Sequence, residues 1–181
     1  MHIPVLENKV LEYLKVKKNQ NFVDCTVGAG GHASAILAKN KPEGKVLGID
    51  RDQEVIEKLR SKNPSDRLKL TQGNFAELNR LVEKFGFNHV HGILFDFGVC
   101  SHHFEKSGRG FTFRKEEPLD MRFDTEQDQK AQDIVNKKPE RELKRILKKY
   151  GEEKYAGSIA SQIVKNREEE LITTSTQLVE V

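Results

Sequence analysis

The stretch Asp24–Leu37, DCTVGAGGHASAIL, decides the fold class. An apolar run, Phe22–Cys25, leads into it and carries an acid, Asp24. Gly28, Gly30 and Gly31 then crowd into four positions, and a helical pattern begins near Ala33. Strand, glycine turn and helix in that order open a nucleotide-type βαβ unit. Gly28, Gly30 and Ala33 satisfy the spacing G-x-G-x-x-G/A, and Asp50 follows at about the distance expected of a ribose-binding acid.

Outward from this unit, three more short apolar runs, Val46–Asp50, Leu68–Thr71 and Gly92–Asp96, alternate with helical patterns near Ala33–Lys39, Glu54–Lys62 and Ala76–Phe85. Repeated βαβ order with right-handed crossovers predicts an α/β fold, a parallel sheet with helices on both faces. After Asp96 the pattern changes to a polar loop with Gly and Phe up to about Asp128, followed by helical signals alone. The expected organisation is a cofactor-binding core over residues 1–100 and a loop with helices over 101–181. In Glu140–Gly151, ERELKRILKKYG, the residues Leu143, Ile146, Leu147 and Tyr150 form one stripe, with Gly151 placed to end the helix. Arg141, Lys144, Arg145, Lys148 and Lys149 lie mostly off it and read as a solvated face. A further helix over about Glu152–Arg167 is expected to bury Tyr155, Ala156, Ile159, Ala160 and Ile163.

Charged residues make up 33% of the 181 residues, which predicts a heavily solvated surface. No apolar run approaches the roughly 20 residues that cross a bilayer, and the first residues lack the basic and apolar regions of a signal peptide. A cytoplasmic location and no membrane partner are expected. Cys25 and Cys100 form no disulfide framework. The net charge of +3 is weak support for a polyanionic partner.

Asp96, Phe97 and Gly98 spell the magnesium-holding tripeptide of protein kinases, but the glycine hairpin, strand lysine and catalytic loop that must precede it are missing. The glycine pattern alone leaves NAD and other adenosine cofactors open. Charge separates them, because Asp24, Asp50 and Asp96 all sit at expected C-terminal strand ends. Three carboxylates repel a pyrophosphate and suit S-adenosyl-L-methionine, which carries a sulfonium and an ammonium group and no phosphate. An NAD-dependent oxidoreductase is therefore the weaker enzyme reading. A non-catalytic ribosome-assembly factor that senses the same cofactor is the alternative outside enzymes.

Several collinear motifs carry a family likeness: HIPVL at His2–Leu6, DCTVGAGGH at Asp24–His32, GIDRD at Gly48–Asp52, GNF at Gly73–Phe75, RGFTF at Arg109–Phe113, PLDMRFD at Pro118–Asp124 and YGEEKYA at Tyr150–Ala156. Together they resemble the RsmH (MraW) family of S-adenosylmethionine-dependent methyltransferases. That family acts on the exocyclic N4 amine of a cytosine in the decoding region of small-subunit ribosomal RNA. The resemblance implies a Rossmann-like class I methyltransferase sheet with a helical insertion, and small-subunit RNA as partner. It implies that Gly30, Gly31 and His32 hold the methionine part of the cofactor, beside Gly28 of the same cofactor-binding loop, that Asp50 binds the ribose hydroxyls and that Phe75 flanks the adenine. Asp96 would lie beside the reactive end, where it, or a backbone carbonyl next to it, is the candidate acceptor for a hydrogen bond from the target amine. His103 stands where the family has a further cofactor contact, within CSHH at Cys100–His103, where the family commonly shows Ser-Ser-Pro-Gln. Arg109, Arg114 and Arg122 are the candidates for RNA contact. Phe111 and Phe113 either stack on bases or anchor the loop to a core.

Cys100, His102 and His103, with His89 and His91 nearby in sequence, lack the spacing of a zinc site, so no metal is expected. The resemblance also implies closing strands after the helical insertion, whereas only four strands are found here before Asp96. An incomplete sheet of about four parallel strands is expected, with an exposed edge that invites pairing with a second copy, as in a homodimer.

Overall fold

A computed structural model describes residues 4–62 and 64–181. His2 and Ile3 of the first family motif lie outside the described residues. The chain divides into two compact units, Met1–Cys100 and Ser101–Val181.

In the first unit, α1 (Glu7–Tyr13) precedes β1 (Phe22–Asp24), and α2 (Gly31–Lys39), β2 (Val46–Asp50), α3 (Gln53–Lys62) and β3 (Leu68–Gln72) follow. A 3-10 turn over Phe75–Glu77 runs into α4 (Leu78–Lys84), and β4 (Gly92–Leu94) completes a sheet of order β3-β2-β1-β4. All three pairings are parallel, so the sheet has the expected architecture. Alternation along β1 builds two cores. Phe22 points to one face, where it joins Leu11, Ala33, Ile36, Val46, Ile56 and Leu59. Val23 points to the other and meets Leu47, Ile49, Leu81 and Phe87. Burial on both faces is why β1 and β2 read as unbroken apolar runs, and each fully buried large side chain contributes about 1.5–3 kcal/mol.

β4 is shorter than its apolar run. It stops at Leu94, whose carbonyl accepts from the Cys25 amide, and the amide of Asp96 is turned instead to the Thr26 hydroxyl at 2.7 Å. Among the described residues β4 pairs with β1 alone, and Ile93 remains 43% exposed.

The second unit consists of α5 (Ser101–Glu105), a long loop, and α6 (Ala131–Lys137), α7 (Glu140–Gly151), α8 (Ala156–Glu169) and α9 (Ser175–Glu180). Its core gathers Leu119, Val135, Leu143, Ala160, Ile163 and Ile172. Two expectations need correction. Tyr150 and Tyr155 are 69% and 66% exposed, because one lies in the last turn of α7, beyond the core, and the other only caps α8. The left-handed residue that ends α7 is Glu152, φ 51°, and Gly151 is still helical. No helix among the described residues is long and apolar enough to cross a membrane.

Candidate cofactor site and substrate loop

The C-terminal ends of β1 and β2, together with the segment after β4, carry the three acids. The glycine loop runs from β1 into α2, and Gly30, φ 82°, is the residue from which α2 starts. The backbone angle demands glycine there, and a Cβ would also have to displace the end of the Leu59 side chain, whose Cδ1 would stand 2.5 Å away. Gly31 opens α2, five residues before buried Ile36, and His32 follows it with its ring buried.

The loop is tied to the acids. Asp50 Oδ2 accepts from the Gly28 amide at 2.9 Å, and Asp50 Oδ1 accepts from the Asp52 amide at 3.0 Å. Asp96 is half exposed, and its Oδ2 lies 3.6 Å from His32 Nε2. Asp24 is 1% exposed. Its Oδ1 accepts from the Thr26 amide at 3.2 Å, while its Oδ2 is buried with no hydrogen-bond partner, as is His32 Nδ1. Burial pushes the Asp24 carboxyl up to about 7; the Thr26 amide opposes the rise, and the charges of Asp50 and Asp96 add to it. Burial, with the Asp24 charge behind it, likewise raises the Cys25 thiol to about 12, which makes it inert as a nucleophile. A buried carboxylate oxygen without a donor, in a cluster of three acids, fits a ligand that brings a cationic N–H group. The ammonium end of S-adenosylmethionine meets that requirement, and a pyrophosphate does not.

Half-buried Phe75 forms an aromatic cluster with exposed Phe95 and Phe97, at centroid distances of 5.5 and 5.8 Å. The structure thus brings Gly28, Gly30, Gly31, His32, Asp50, Phe75 and Asp96 together within the first unit. A groove of about 350 Å³ in the same unit lies at the opposite ends of the strands, between Leu37, Lys41 and Leu68. The Arg67 guanidinium at its wall is engaged by the Gly44 and Leu37 carbonyls.

His103 belongs to the second unit, where its ring is buried against Phe111 and Phe123 at centroid distances of 5.0 and 4.9 Å. Phe111 therefore anchors the loop, whereas Phe113 is 70% exposed. Arg109 is 7% exposed, and its Nη1 donates to the Arg122 and Phe123 carbonyls at 2.9 and 3.0 Å. Arg122 holds Asp120 through two contacts of 2.8 and 2.7 Å and donates to the Thr125 carbonyl. Arg122 and its backbone amide lower the Asp120 carboxyl below the usual range. Two of the three candidate arginines thus spend their donors inside the loop, and Arg114 is the exposed one.

The loop closes on Gly110, φ 77°, whose amide donates to buried Glu117 at 2.9 Å and where any Cβ would collide with the Pro118 carbonyl. Met121 takes a left-handed φ of 57°, costly for a side-chain-bearing residue, and its amide donates to the Arg109 carbonyl at 2.7 Å. Residues near the chain's end fasten the same loop. The Leu119 amide donates to Thr173, the Ser175 amide to Glu117, and the Ser175 hydroxyl to the Lys115 carbonyl. Among the described residues no three His, Cys, Asp or Glu side chains converge as a metal site, and His91 Nδ1 accepts from the Asn21 amide.

Comparison with known proteins gives this geometry its context. Residues 1–181 match the MraW methylase family along their whole length. The chain belongs to that family. Among similar MraW-type relatives, the ribosomal RNA small subunit methyltransferase H of Geobacter sp. is 42% identical over 99% of this chain and 58% of its own length. That of Thermosipho melanesiensis is 44% identical over 99% and 61%. The chain therefore spans about three fifths of the length of the curated relatives it matches. A solved RNA methyltransferase from Salinibacter ruber, in complex with S-adenosyl-L-homocysteine, overlaps 50% of this chain and 71% of its own at a TM-score of 0.38 and 16% identity. An overlap so partial adds nothing to the family assignment.

Proposed function

We propose that this MraW-family chain is the cofactor-binding and RNA-engaging part of an S-adenosylmethionine-dependent methyltransferase acting on the N4 amine of a cytidine in small-subunit ribosomal RNA. The observation that carries the reading is the unpartnered Asp24 Oδ2, buried beside a glycine loop with Asp50 and Asp96 near enough to raise its pKa. S-Adenosylmethionine supplies the activated methyl group when bound. Asp24 and His32 hold the amino-acid end through the polar atoms that lack partners. Asp50, already fixed by the Gly28 and Asp52 amides, presents its carboxylate to the ribose hydroxyls, and Phe75 covers the adenine. Asp96 accepts a hydrogen bond from the target amine and orients it. No strong base is needed, because the amine becomes acidic once methylated and releases its proton to water.

The second unit engages RNA through Arg114 and Phe113, a cation and a ring exposed on one loop. Arg109 and Arg122 keep that loop in shape through the carbonyls and carboxylate they bind. His103, buried between Phe111 and Phe123, supports the same loop.

Calorimetric titration with S-adenosylmethionine against NAD tests the cofactor, and only the former should bind. Transfer of labelled methyl to assembled small subunits, compared with naked RNA, tests the reaction. Binding without transfer to either would leave the non-catalytic reading. Replacement of Arg114 by Ala should reduce RNA methylation and leave cofactor affinity unchanged. Loss of cofactor binding in that variant would remove Arg114 from the RNA interface.

A further inference from the structure

The 81 residues from Ser101 onward carry sixteen Lys or Arg and sixteen Asp or Glu, so the second unit has no net charge to explain a basic surface. Its cations are nevertheless segregated. At 3.6 residues per turn, Arg141, Lys144, Arg145, Lys148 and Lys149 fall within an arc of about 140° on α7, opposite Leu143 and Leu147. All five are exposed. Arg145 lies 3.8 Å from Glu142, which also binds Lys138, but Arg141, Lys144, Lys148 and Lys149 have no ion-pair partner among the described residues. Complementing the helix dipole accounts for Lys148 and Lys149 in the last turn. It does not account for Arg141 in the first turn, where a cation opposes the dipole, or for like charges three and four residues apart, which cost the helix stability.

The face ends at exposed rings. The Lys149 ammonium lies 5.2 Å from the centre of the Tyr150 ring, and Tyr155 follows across a turn that adds exposed Lys154. A lipid surface is the wrong partner, because α7 spends its apolar side on the core, with Leu143 buried there and Leu147 packed against it. Spaced cations beside open aromatic rings suit a polymer with both phosphates and unstacked bases. From Arg141 to Lys149 is about 12 Å along the axis, room for several nucleotides of one strand.

We propose that the cationic face of α7, with Tyr150 and Tyr155 at its end, is a docking surface for single-stranded RNA. It is separate in sequence from the 109–122 loop and holds a further stretch of the substrate. The inference deepens the RNA reading above and rests on it for the class of polymer.

The test uses the full chain, a fluorescein-labelled single-stranded RNA of about a dozen nucleotides, and anisotropy over a series of salt concentrations. The fourfold variant R141Q/K144Q/K148Q/K149Q should bind at least about tenfold more weakly. The slope of log affinity against log salt should be shallower by about 3, since each single-strand phosphate contact contributes about 0.7. The variant K144R/K148R/K149R keeps the charges and should bind like the parent, which separates lost contacts from lost folding. Y150A/Y155A should weaken binding with the slope retained. Unchanged affinity and slope in the fourfold variant would overturn the proposal while leaving the proposed function standing. So would poly-glutamate competing as well as RNA, which would make the face a site for acidic protein. No RNA binding by the parent would overturn both. Binding that depends on α7 without methyl transfer would sink the enzyme reading alone.

Discussion

Replacing Asp24 by Asn keeps the acceptor for the Thr26 amide and removes the charge that burial opposes. The carboxyl stands at about 7 in the folded chain against an ordinary 3.8, a rise that makes the native state hold its proton where the unfolded state has lost it. Stability from the neutral carboxyl is therefore complete below pH 3.8, falls as pH rises, and is fully lost above about pH 7. At about 1.4 kcal/mol per unit, the whole loss is about 4 kcal/mol, and about 2 kcal/mol of it falls between pH 5.5 and 8. Urea denaturation of both proteins across that range, without cofactor, isolates the Asp24 charge together with its coupling to Asp50 and Asp96, since the titrations of more distant groups are common to the two curves. The difference in unfolding free energy, Asn variant minus parent, should grow by about 2 kcal/mol from pH 5.5 to 8. Parallel curves would show that Asp24 is ionised at little cost in the folded protein and would remove the reason for assigning it a cationic ligand. The same variant should bind S-adenosylmethionine more weakly at pH 8 despite being more stable, a divergence that a merely structural residue would not give.

Asp50→Ala should weaken cofactor binding by about 1–3 kcal/mol through two lost ribose hydrogen bonds, measured by calorimetry, and unchanged affinity would take Asp50 out of the site. Gly110→Ala combines a collision with the Pro118 carbonyl and a left-handed backbone, so the second unit should lose more than about 1 kcal/mol in thermal denaturation; a neutral effect would contradict the loop geometry. Arg109→Ala should lower stability rather than only RNA affinity, because it leaves the Arg122 and Phe123 carbonyls without that donor. A stable variant with weakened RNA binding would return Arg109 to the interface.

The parallel sheet was legible because its inner strands β1 and β2 are buried on both faces and appear as bounded apolar runs, with the shorter runs of β3 and β4 spaced by helices on either side. The strand-end acids were legible for the same reason, as single carboxylates closing such runs. The end of β4 was not, since it depends on the Thr26 hydroxyl, seventy residues earlier, taking the Asp96 amide. α1 is not legible either, because Leu11 is its one buried residue and gives no stripe. Tyr150 continues the spacing of Leu143 and Leu147, and periodicity cannot show that the core has ended before it. Arg109 and Arg122 resemble phosphate ligands in a sequence because their partners are mostly backbone carbonyls, which have no letter of their own. Asp24 shows its sign in the sequence, but the missing donor at its second oxygen appears only in three dimensions.

The fastening of Lys115–Leu119 by Thr173 and Ser175 makes the exposed loop as slow as the segment that holds it. Loops with Phe113 and Arg114 at their tip ordinarily open on their own, and amide hydrogens there exchange within the local fluctuations of the surface. Here the amides of Leu119 and Ser175 are bonded across the same junction, so both meet solvent when the Thr173–Ser175 segment lifts away. Their exchange rates should rise and fall together, and a ligand gripping the loop should slow exchange at the far end of the chain as much as beneath itself.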